Sequence, residues 1–325
     1  MRVLLTGSSG WLGRFLAPRL RQVGHHVVGL DVAPGADTDI VGTVADKALI
    51  DRIFADQGIE AVVHAGALHK PDIARYPKQA FIDVNVTGTL NLLEAAVRAR
   101  NSCFVFTSTT SLMISEAIRA GKAGGAERAV WLTEDHGPLD PRNIYGVTKR
   151  AAEQLCALFH REHELPIIIL RTGRFFPEED DTHRDLSGPN IKANEFLNRR
   201  LTVEDAAEAH VAALAKAKEI GFGLFIIAAP TPFRPGEAKR LLADAPSVIA
   251  QHFPQAASLY ARIGWTLPDH IDRVYDSALA EKRLGFRCRT DFAAVLAALE
   301  RGGPLPFAHD PSYVSPKEQE GGGRC

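Results

Sequence analysis

The amino-acid sequence predicts an α/β protein built on a doubly wound parallel sheet, with a smaller, mostly helical lobe toward the C-terminus. Two observations predict this fold. Short β-branched and aliphatic runs alternate with longer helical patterns along the first two-thirds of the 325 residues. The runs are almost unbroken in apolar character, which is typical of parallel strands that helices cover on both faces. We therefore expect right-handed helical crossovers between the strands.

The predicted strands and helices follow one another in chain order. The run Ile167–Arg171 is almost purely aliphatic, whereas Ile40–Thr43 is a weaker strand candidate. The full set of predicted strands is Val3–Thr6, His26–Asp31, Ile40–Thr43, Ala61–Ala65, Cys103–Ser108, Ile167–Arg171 and Leu224–Ala228. The predicted helices are Trp11–Val23, Lys47–Gln57, Ala80–Arg100, Tyr145–His163 and Thr202–Lys218.

The pattern changes after Thr172. Pro177–Asn194 is rich in charged residues, proline, glycine and asparagine, which predicts a loop, whereas Gly236–Leu299 is mostly helical. The smaller lobe is expected to cover the carboxyl edge of the sheet. The predicted units are a sheet domain of residues 1–176 and about 201–229, a smaller lobe of residues 177–200 and 230–306, and a flexible tail at 307–325.

Composition argues against several classes of protein. The 38 basic and 39 acidic residues give a net charge of −1, which disfavours a nucleic-acid partner or an acidic membrane surface. No apolar run approaches the roughly 20 residues of a membrane span, and the N-terminus lacks a signal-peptide core. The four cysteines lie far apart with no metal-ligand spacing, so we predict no metal site and a reducing, cytoplasmic location.

A glycine-rich turn follows the first strand. Gly7, Gly10 and Gly13 would permit a tight turn, close approach of the backbone to a pyrophosphate, and close packing of helix on strand. Asp31 ends the second strand 18 residues after Gly13, where a carboxylate suits ribose hydroxyls. This combination predicts a Rossmann-type dinucleotide site. Because a carboxylate repels a 2′-phosphate and residues 31–39 contain no lysine or arginine, NAD is favoured over NADP.

Tyr145 and Lys149 are four residues apart, and therefore lie on one face of their predicted helix. A free tyrosine has a pKa of about 10, too high for a base at neutral pH. We expect the ammonium and an oxidised nicotinamide to lower this pKa, so that Tyr145 exchanges a proton with a substrate alcohol. The hydroxyl residues 107–111, at the carboxyl end of a strand, are placed to hold the substrate oxygen, but spacing does not choose among them.

In these motifs the sequence resembles the extended short-chain dehydrogenase/reductases of the NAD-dependent epimerase/dehydratase family. The resemblance covers about residues 1–229. It adds the segments His64–Ala67 and Asn85–Thr89 to the glycine fingerprint, Asp31 and the Tyr145/Lys149 pair. It implies that Thr109 completes the catalytic set with Tyr145 and Lys149, and that Tyr145 and Lys149 also contact the cofactor, Lys149 through the nicotinamide ribose.

The resemblance also implies which other residues surround NAD. Trp11 and Leu12 would flank the pyrophosphate, and Thr43 and Val44 would lie by the adenine, although the family often has an acidic residue where Thr43 stands. The remaining residues implied at the cofactor are Ala65, Gly66, Ala67, Asn85, Thr172 and Gly173.

The segment expected to bind substrate is short. Only 27 steps of chain separate Pro177 from Glu204, whereas nucleotide-sugar members of the family use a much longer segment. The resemblance therefore implies a small substrate, such as a free sugar, a sugar acid or a similar polyol. Candidate substrate contacts are Thr110, Arg174, Arg199 and Arg200, because a guanidinium suits a carboxylate. Thr110 and Ser111 stand where sugar 4,6-dehydratases have an Asp-Glu pair, which disfavours dehydration.

One segment departs from the usual family spacing. Thr109 and Tyr145 are 36 residues apart, which is long for the family, and residues 115–133 look inserted. This segment is either a lid that brings Trp131 or Arg128 to the substrate or a surface excursion, and the sequence favours neither.

Three functions stay open at this point. The leading hypothesis is an NAD-dependent oxidoreductase acting on a sugar-like secondary alcohol; the alternatives are a nucleotide-sugar epimerase with tightly bound NAD and a non-catalytic cofactor sensor. Relatives pair through the helices corresponding to Ala80–Arg100 and Tyr145–His163, which implies a homodimer. The candidate apolar contacts are Leu92, Leu93, Leu155, Leu158 and Phe159.

Overall fold

A computed structural model describes residues 1–177 and 186–309. Its centre is a seven-stranded, fully parallel sheet in the order β3-β2-β1-β4-β5-β7-β8, with a separate parallel pair, β6 and β9. The predicted doubly wound sheet is confirmed. The strands are β1 (Arg2–Thr6), β2 (His26–Asp31), β3 (Ile40–Val41), β4 (Ala61–His64), β5 (Cys103–Thr109), β6 (Val130–Leu132), β7 (Ile167–Thr172), β8 (Phe222–Ile227) and β9 (Arg273–Tyr275).

Helices cover both faces of the sheet. Alternate strand residues point to opposite faces, so Leu5 belongs to an apolar cluster with α1 and α8, while Leu4 belongs to a second cluster with α2, α4 and α6. The α-helices are α1 (Gly13–Gln22), α2 (Lys47–Gln57), α3 (Lys78–Phe81), α4 (Gly88–Arg98), α5 (Glu116–Ala120), α6 (Ile144–His163), α7 (Gly188–Glu195), α8 (Val203–Ile220), α9 (Ala238–Ala243), α10 (Ala245–His252), α11 (Ala256–Arg262), α12 (Ala278–Leu284) and α13 (Phe292–Arg301).

Two predicted elements differ from the structure. The single helix predicted for Ala80–Arg100 is interrupted by a π-helical turn at Ile82–Thr87, which separates α3 from α4. The loop predicted for Pro177–Asn194 contains α7. The Ser187 side chain caps this helix by accepting from the backbone N–H of Asn190, and a proline stands in its first turn.

The smaller lobe has an apolar cluster of its own. Phe196 and Leu197, just after α7, pack there with residues of α9, α10, α11 and α13. The inserted segment joins this lobe because β6 pairs with β9 and the Trp131 indole donates to Asp276 at 2.9 Å. Trp131 is therefore anchored within the lobe, which argues against the lid alternative at this residue.

The predicted start of the tail at residue 307 is too early. Phe307 is buried and stacks on Phe196, and the His309 ring contacts Trp11 edge to face. These contacts tie the chain to the rest of the molecule as far as residue 309, and residues 310–325 lie outside the described part. Among the described helices, none combines the length and the apolar character that a bilayer span requires.

Leu92, Leu93 and Phe159, predicted as dimer contacts, are instead buried within the chain, in the cluster that α2, α4 and α6 form with the sheet. Leu155 and Leu158 are half-buried. Apolar spacing on a helix does not distinguish a face that meets the sheet from one that meets a second subunit, and the first three residues belong to the core.

Candidate active site

The glycine turn between β1 and α1 is needed for close packing at two positions. Gly7 has a φ of +76°, and a Cβ atom there would lie 2.8 Å from the backbone nitrogen of Gly66. A Cβ atom on Gly13 would lie 2.2 Å from the carbonyl oxygen of Gly7. Gly10 differs, because a Cβ atom there would meet only the Gly7 oxygen, at 3.2 Å, and its φ is not left-handed. Gly10 is therefore the glycine of this turn that packing within the chain requires least, as expected where the backbone faces a ligand.

The Asp31 carboxylate lies at the end of β2, directly beside this turn. One of its oxygens accepts from the backbone N–H of Ser9 at 3.1 Å, and the other accepts from Ala33 at 3.2 Å. A carboxylate oxygen can accept more than one hydrogen bond, so Asp31 keeps capacity for ribose hydroxyls. A carboxylate held beside the first helix start and the glycine turn fits NAD, as predicted.

The side chains of Trp11 and Leu12 are buried rather than directed to a ligand. The Trp11 indole donates to the carbonyl of Phe175 at 3.1 Å, and Leu12 belongs to the core. Their predicted contacts with the pyrophosphate can therefore come only from the backbone. On the adenine side, Thr43 accepts from the Ala45 N–H at 3.2 Å, and Val44 packs in the core.

A chain of hydrogen bonds links the glycine turn to the π-helical turn. The Thr6 hydroxyl accepts from the Gly66 N–H at 2.9 Å and lies 2.7 Å from His64 Nδ1, while His64 Nε2 lies 3.1 Å from the Thr89 hydroxyl. Thr89 in turn donates to the Asn85 carbonyl at 2.7 Å. Because Thr89 gives its proton to Asn85, it accepts from His64 Nε2, which therefore carries a proton. Burial first, and then Lys149, lowers the pKa of His64, so its role is structural.

Asn85 holds the loop after β4 against the catalytic helix. Its side chain accepts from the Leu68 N–H at 2.8 Å and donates to the Leu68 carbonyl at 3.0 Å and to the Thr148 hydroxyl at 3.1 Å. Ala65, Gly66 and Ala67 lie in this loop, half-buried, at the carboxyl edge of the sheet. Asn85 therefore positions the predicted cofactor loop.

Thr109 lies beside Tyr145, and Lys149 follows Tyr145 by four residues on the same face of α6. Thr109 ends β5, and its hydroxyl accepts from the Ser111 N–H at 3.1 Å and hydrogen-bonds the Tyr145 phenol. Asn143 caps α6 just before Tyr145 by accepting from Gly146 at 3.0 Å. All three side chains are buried, and the ammonium of Lys149 lies 4.0 Å above the ring of Phe106, a cation–π contact.

The electrostatics of the set differ from the expectation. Burial raises the pKa of Tyr145 to about 12, the hydrogen bond with Thr109 lowers it, and the charge of Asp72 raises it further. Burial lowers the pKa of Lys149 to about 7, whereas Cys156 and Glu153 raise it. The prediction that Lys149 lowers the pKa of Tyr145 is therefore wrong when only groups of the protein are considered. Burial of the phenol has the largest effect on this pKa and raises it.

The backbone beside the catalytic set is closely packed. The Thr172 hydroxyl donates to the Ser108 carbonyl at 3.1 Å, and the Thr110 hydroxyl donates to the Thr172 carbonyl at 3.2 Å. A Cβ atom on Gly173 would lie 2.6 Å from the Arg199 carbonyl. Thr110 thus joins two strand ends, and its buried hydroxyl argues against the predicted substrate contact.

The predicted substrate arginines converge on one carboxylate, Glu195. Arg200 donates to Glu195 at 2.7 Å and to the Phe176 carbonyl at 2.7 Å, and is almost fully buried. An Arg199 nitrogen lies 2.9 Å from Glu195, and Arg174 Nε lies 3.9 Å away. Burial raises the pKa of Glu195, but the three guanidiniums lower it more. Arg200 is therefore a structural residue, contrary to the prediction, whereas the Arg174 side chain is 27% exposed.

Sequence reasoning missed His69 and Asp72, which lie near Tyr145, and Phe176, which contacts His69. The His69 ring lies 5.9 Å from the Tyr145 ring and 5.4 Å from the Phe176 ring, centroid to centroid. Asp72 is buried, and it accepts from the His69 N–H at 2.6 Å. The available signal was position, because His69 follows β4 at the carboxyl edge where such sheets bind ligands.

The parallel sheet, the glycine turn with Asp31 and the Thr109–Tyr145–Lys149 set define a short-chain dehydrogenase/reductase of the extended type. Residues 3–227 match the model of the NAD dependent epimerase/dehydratase family. The chain belongs to this family, and NAD is the cofactor of the family. Its homologues are NAD-dependent epimerases, dehydratases and dehydrogenases.

Several curated relatives are similar over part or all of the chain. A UDP-glucose 4-epimerase of Azospirillum brasilense is 30% identical over 179 residues, 52% of this chain and 48% of that protein. A dTDP-glucose 4,6-dehydratase of Streptomyces antibioticus is 26% identical, over 91% and 90%. A uronate dehydrogenase of Pseudomonas syringae pv. tomato is 25% identical, over 54% and 60%. The first relative thus matches the chain over about half of its own length.

Solved structures share the fold. UDP-N-acetylglucosamine 4-epimerase from Bacillus cereus has a TM-score of 0.62 and 22% identity, covering 93% of this chain and 98% of that structure. A mutated uronate dehydrogenase has a TM-score of 0.61 and 18% identity, covering 98% and 96%. At these identities the likeness concerns the fold alone.

Proposed function

We propose that the protein is an NAD-dependent dehydrogenase that moves a hydride between a secondary alcohol of a free sugar, sugar acid or similar polyol and the nicotinamide. The observation that carries this proposal is the packing of the short connection between the sheet and α8. Most of residues 188–201 are buried, including nearly all of α7, and Asn190 and Asn194 both donate to the Thr266 carbonyl at 2.9 Å. These side chains are committed to the smaller lobe, so they offer little surface for a nucleotide.

The catalytic set supplies the proton chemistry of this proposal. NAD, when bound, would supply a nicotinamide ring that can take up a hydride. Thr109 holds the reacting oxygen of the substrate beside Tyr145, and the Tyr145 phenolate takes the hydroxyl proton as the carbon–hydrogen bond breaks. Lys149 would hold the nicotinamide ribose, and burial of all three groups excludes water.

Two features support a small, acidic substrate. Three arginines face a single carboxylate at Glu195, and Arg174, the most exposed of them, directly follows Gly173 at the end of β7. Among the curated relatives, the uronate dehydrogenase of Pseudomonas syringae pv. tomato is 25% identical over 54% of this chain. We therefore place the carboxylate of a sugar acid beside Arg174.

A nucleotide-sugar epimerase is the second candidate. The observation in its favour is that curated relatives sharing 30% identity include UDP-glucose 4-epimerases. An epimerase would use the same Tyr145 and Lys149 but would return the hydride to the substrate, so no NADH would accumulate.

Incubation with NAD and single substrates tests the proposal. Free hexoses and hexuronates are expected to produce NADH, measured by its near-ultraviolet absorbance, whereas UDP-glucose is expected to give neither NADH nor an epimer by chromatography. Tyr145→Phe should reduce NADH formation at least about 100-fold while leaving NADH binding intact, because only the proton acceptor is lost. An epimer from UDP-glucose without NADH would reject the proposal in favour of the epimerase.

We also propose that the protein is a cytoplasmic homodimer with a small-molecule substrate. Cys103, Cys156 and Cys288 are buried free thiols, which is consistent with a reducing compartment. Val147 on α6 and Ile82 in the π-helical turn are exposed apolar residues on the two elements expected at the dimer contact.

A further inference from the structure

A buried ion pair lies one helical turn behind Lys149. One oxygen of Glu153 accepts from the Ser108 hydroxyl at 2.6 Å and from Arg171 Nε at 2.9 Å, and the other accepts from Arg171 Nη2 at 2.7 Å. Ser108, Glu153 and Arg171 are 2–4% exposed. A charged pair is costly to bury because both groups lose their hydration. The roles given above to the catalytic and cofactor-binding residues do not explain why Glu153 and Arg171 are buried here.

The pair sits under the strand ends that carry the site. Ser108 on β5 is in register with Arg171 on β7, and the next register pair is Thr109 with Thr172. Glu153 therefore joins α6 to both strands immediately before the residues that approach substrate and cofactor. It also follows Lys149 by four residues, on the same face of α6.

Among the described residues, Glu153 is the carboxylate whose charge acts on Lys149. From α6, Cys156 and Glu153 raise the pKa of Lys149, but burial raises the pKa of Cys156 itself and keeps this thiol uncharged. From β4, His64 has a pKa lowered by burial and then by Lys149, which favours its uncharged form. From β5, Phe106 presents a ring face. From β7, Arg171 is bound to Glu153.

We propose that Glu153 is a positioning residue for the reaction: its buried carboxylate keeps Lys149 an ammonium and fixes the strand ends that present Thr109 and Thr172. The proposal rests on the role given to Lys149 in the proposed function. Arg171 orients the carboxylate. Glu134 is a second carboxylate near Arg171; burial raises the pKa of Glu134, and the charge of Arg171 is one of the smaller effects that lower it.

Two variants of Glu153 separate charge from shape. Glu153→Gln keeps the size of the side chain and loses the charge; Glu153→Asp keeps the charge and loses a methylene. The measurement is the dissociation constant of NADH, by fluorescence, as a function of pH. In the unaltered protein, binding is expected to weaken as pH rises through about 7, where Lys149 loses its proton. Glu153→Gln should move this midpoint about one pH unit lower, and Glu153→Asp should leave it near its original value.

A purely structural role predicts a different result, because the shorter aspartate would then perturb NADH binding at least as much as glutamine. Equal midpoints in the unaltered protein and Glu153→Gln, or NADH binding with no midpoint near neutral pH, would overturn the proposal. If Glu153→Gln does not fold, Glu153→Gln/Arg171→Gln removes both buried charges and should show a smaller downward shift, because loss of the Arg171 charge opposes loss of the Glu153 charge. If Glu153→Gln shifts the pH midpoint of NADH binding as expected but the unaltered protein oxidises no sugar, the proposed function is rejected and the role of Glu153 stands.

Discussion

At the scale of single residues, the glycine turn shows that identical residues in one motif are needed for different reasons. Gly13 is closed in by the backbone of Gly7 and Ser8, whereas the position of Gly10 is nearly open within the chain. The first requirement belongs to folding, and the second belongs to the approach of a ligand.

This difference predicts that substitution by alanine affects stability at Gly13 and NADH binding at Gly10. Gly13→Ala should lower the free energy of unfolding by roughly 1–3 kcal/mol, because its new methyl overlaps backbone atoms. Gly10→Ala should unfold almost as the unaltered protein does, yet bind NADH at least about tenfold more weakly. Thermal unfolding and NADH titration measure the two effects. A Gly10→Ala protein with undiminished affinity would show that this residue does not face the cofactor.

Some residues of the catalytic set and its surroundings were predictable from the sequence, and others were not. The Tyr145–Lys149 spacing follows from the helix period and was predictable, as was Thr109 once the family resemblance was applied. The partnership of Arg200 with Glu195 was not predictable, because a surface arginine and a buried one look alike in sequence. His69 was missed for a different reason. Its ring contacts Tyr145, which lies 76 residues further along the chain.

At the scale of elements, the π-helical turn matters because it holds Asn85. A π-helical turn adds a residue to the local helical repeat, which changes the direction of the side chains it contains. Here it contains Asn85, which bonds both backbone groups of Leu68 and reaches Thr148 on α6. The turn therefore couples the cofactor loop to the catalytic helix.

Asn190 offers a matched control for this role. It bonds both backbone groups of Thr266 in the smaller lobe, as Asn85 does those of Leu68, and both asparagines are 2% exposed. Asn85→Ala and Asn190→Ala should each lower the free energy of unfolding by about 1–3 kcal/mol, because each leaves buried backbone groups unpaired. Only Asn85→Ala should also weaken NADH binding. Equal losses of NADH affinity in the two variants would contradict a specific role of the π-helical turn.

At the scale of the whole molecule, the dimer prediction has to be placed on different residues. Leu92 and Leu93 are in the core, so the exposed apolar surface on these elements is Val147 and Ile82, with Leu158 half-buried. Val147 and Leu158 are 11 residues apart, a spacing that keeps them on one face of α6.

A charge on this face is expected to prevent pairing. The unaltered protein should have twice the 35.3 kDa chain mass in solution, and Val147→Asp should have the mass of one chain with nearly unchanged unfolding, because Val147 is 46% exposed in the monomer. Light scattering coupled to size exclusion measures both. A monomeric mass for the unaltered protein would remove the dimer proposal.

The local pattern was sufficient for the sheet, the glycine turn and the Tyr145–Lys149 face, because short apolar runs, turn geometry and helix period each act over a few residues. His26–Asp31 and Lys47–Gln57 lie where the pattern placed them. Which side chain faces the core and which charges meet depend on contacts between distant segments. Leu92 is buried, Arg200 meets the Phe176 carbonyl and Glu153 meets Arg171 because segments separated in sequence pack together, and no local period carries that information.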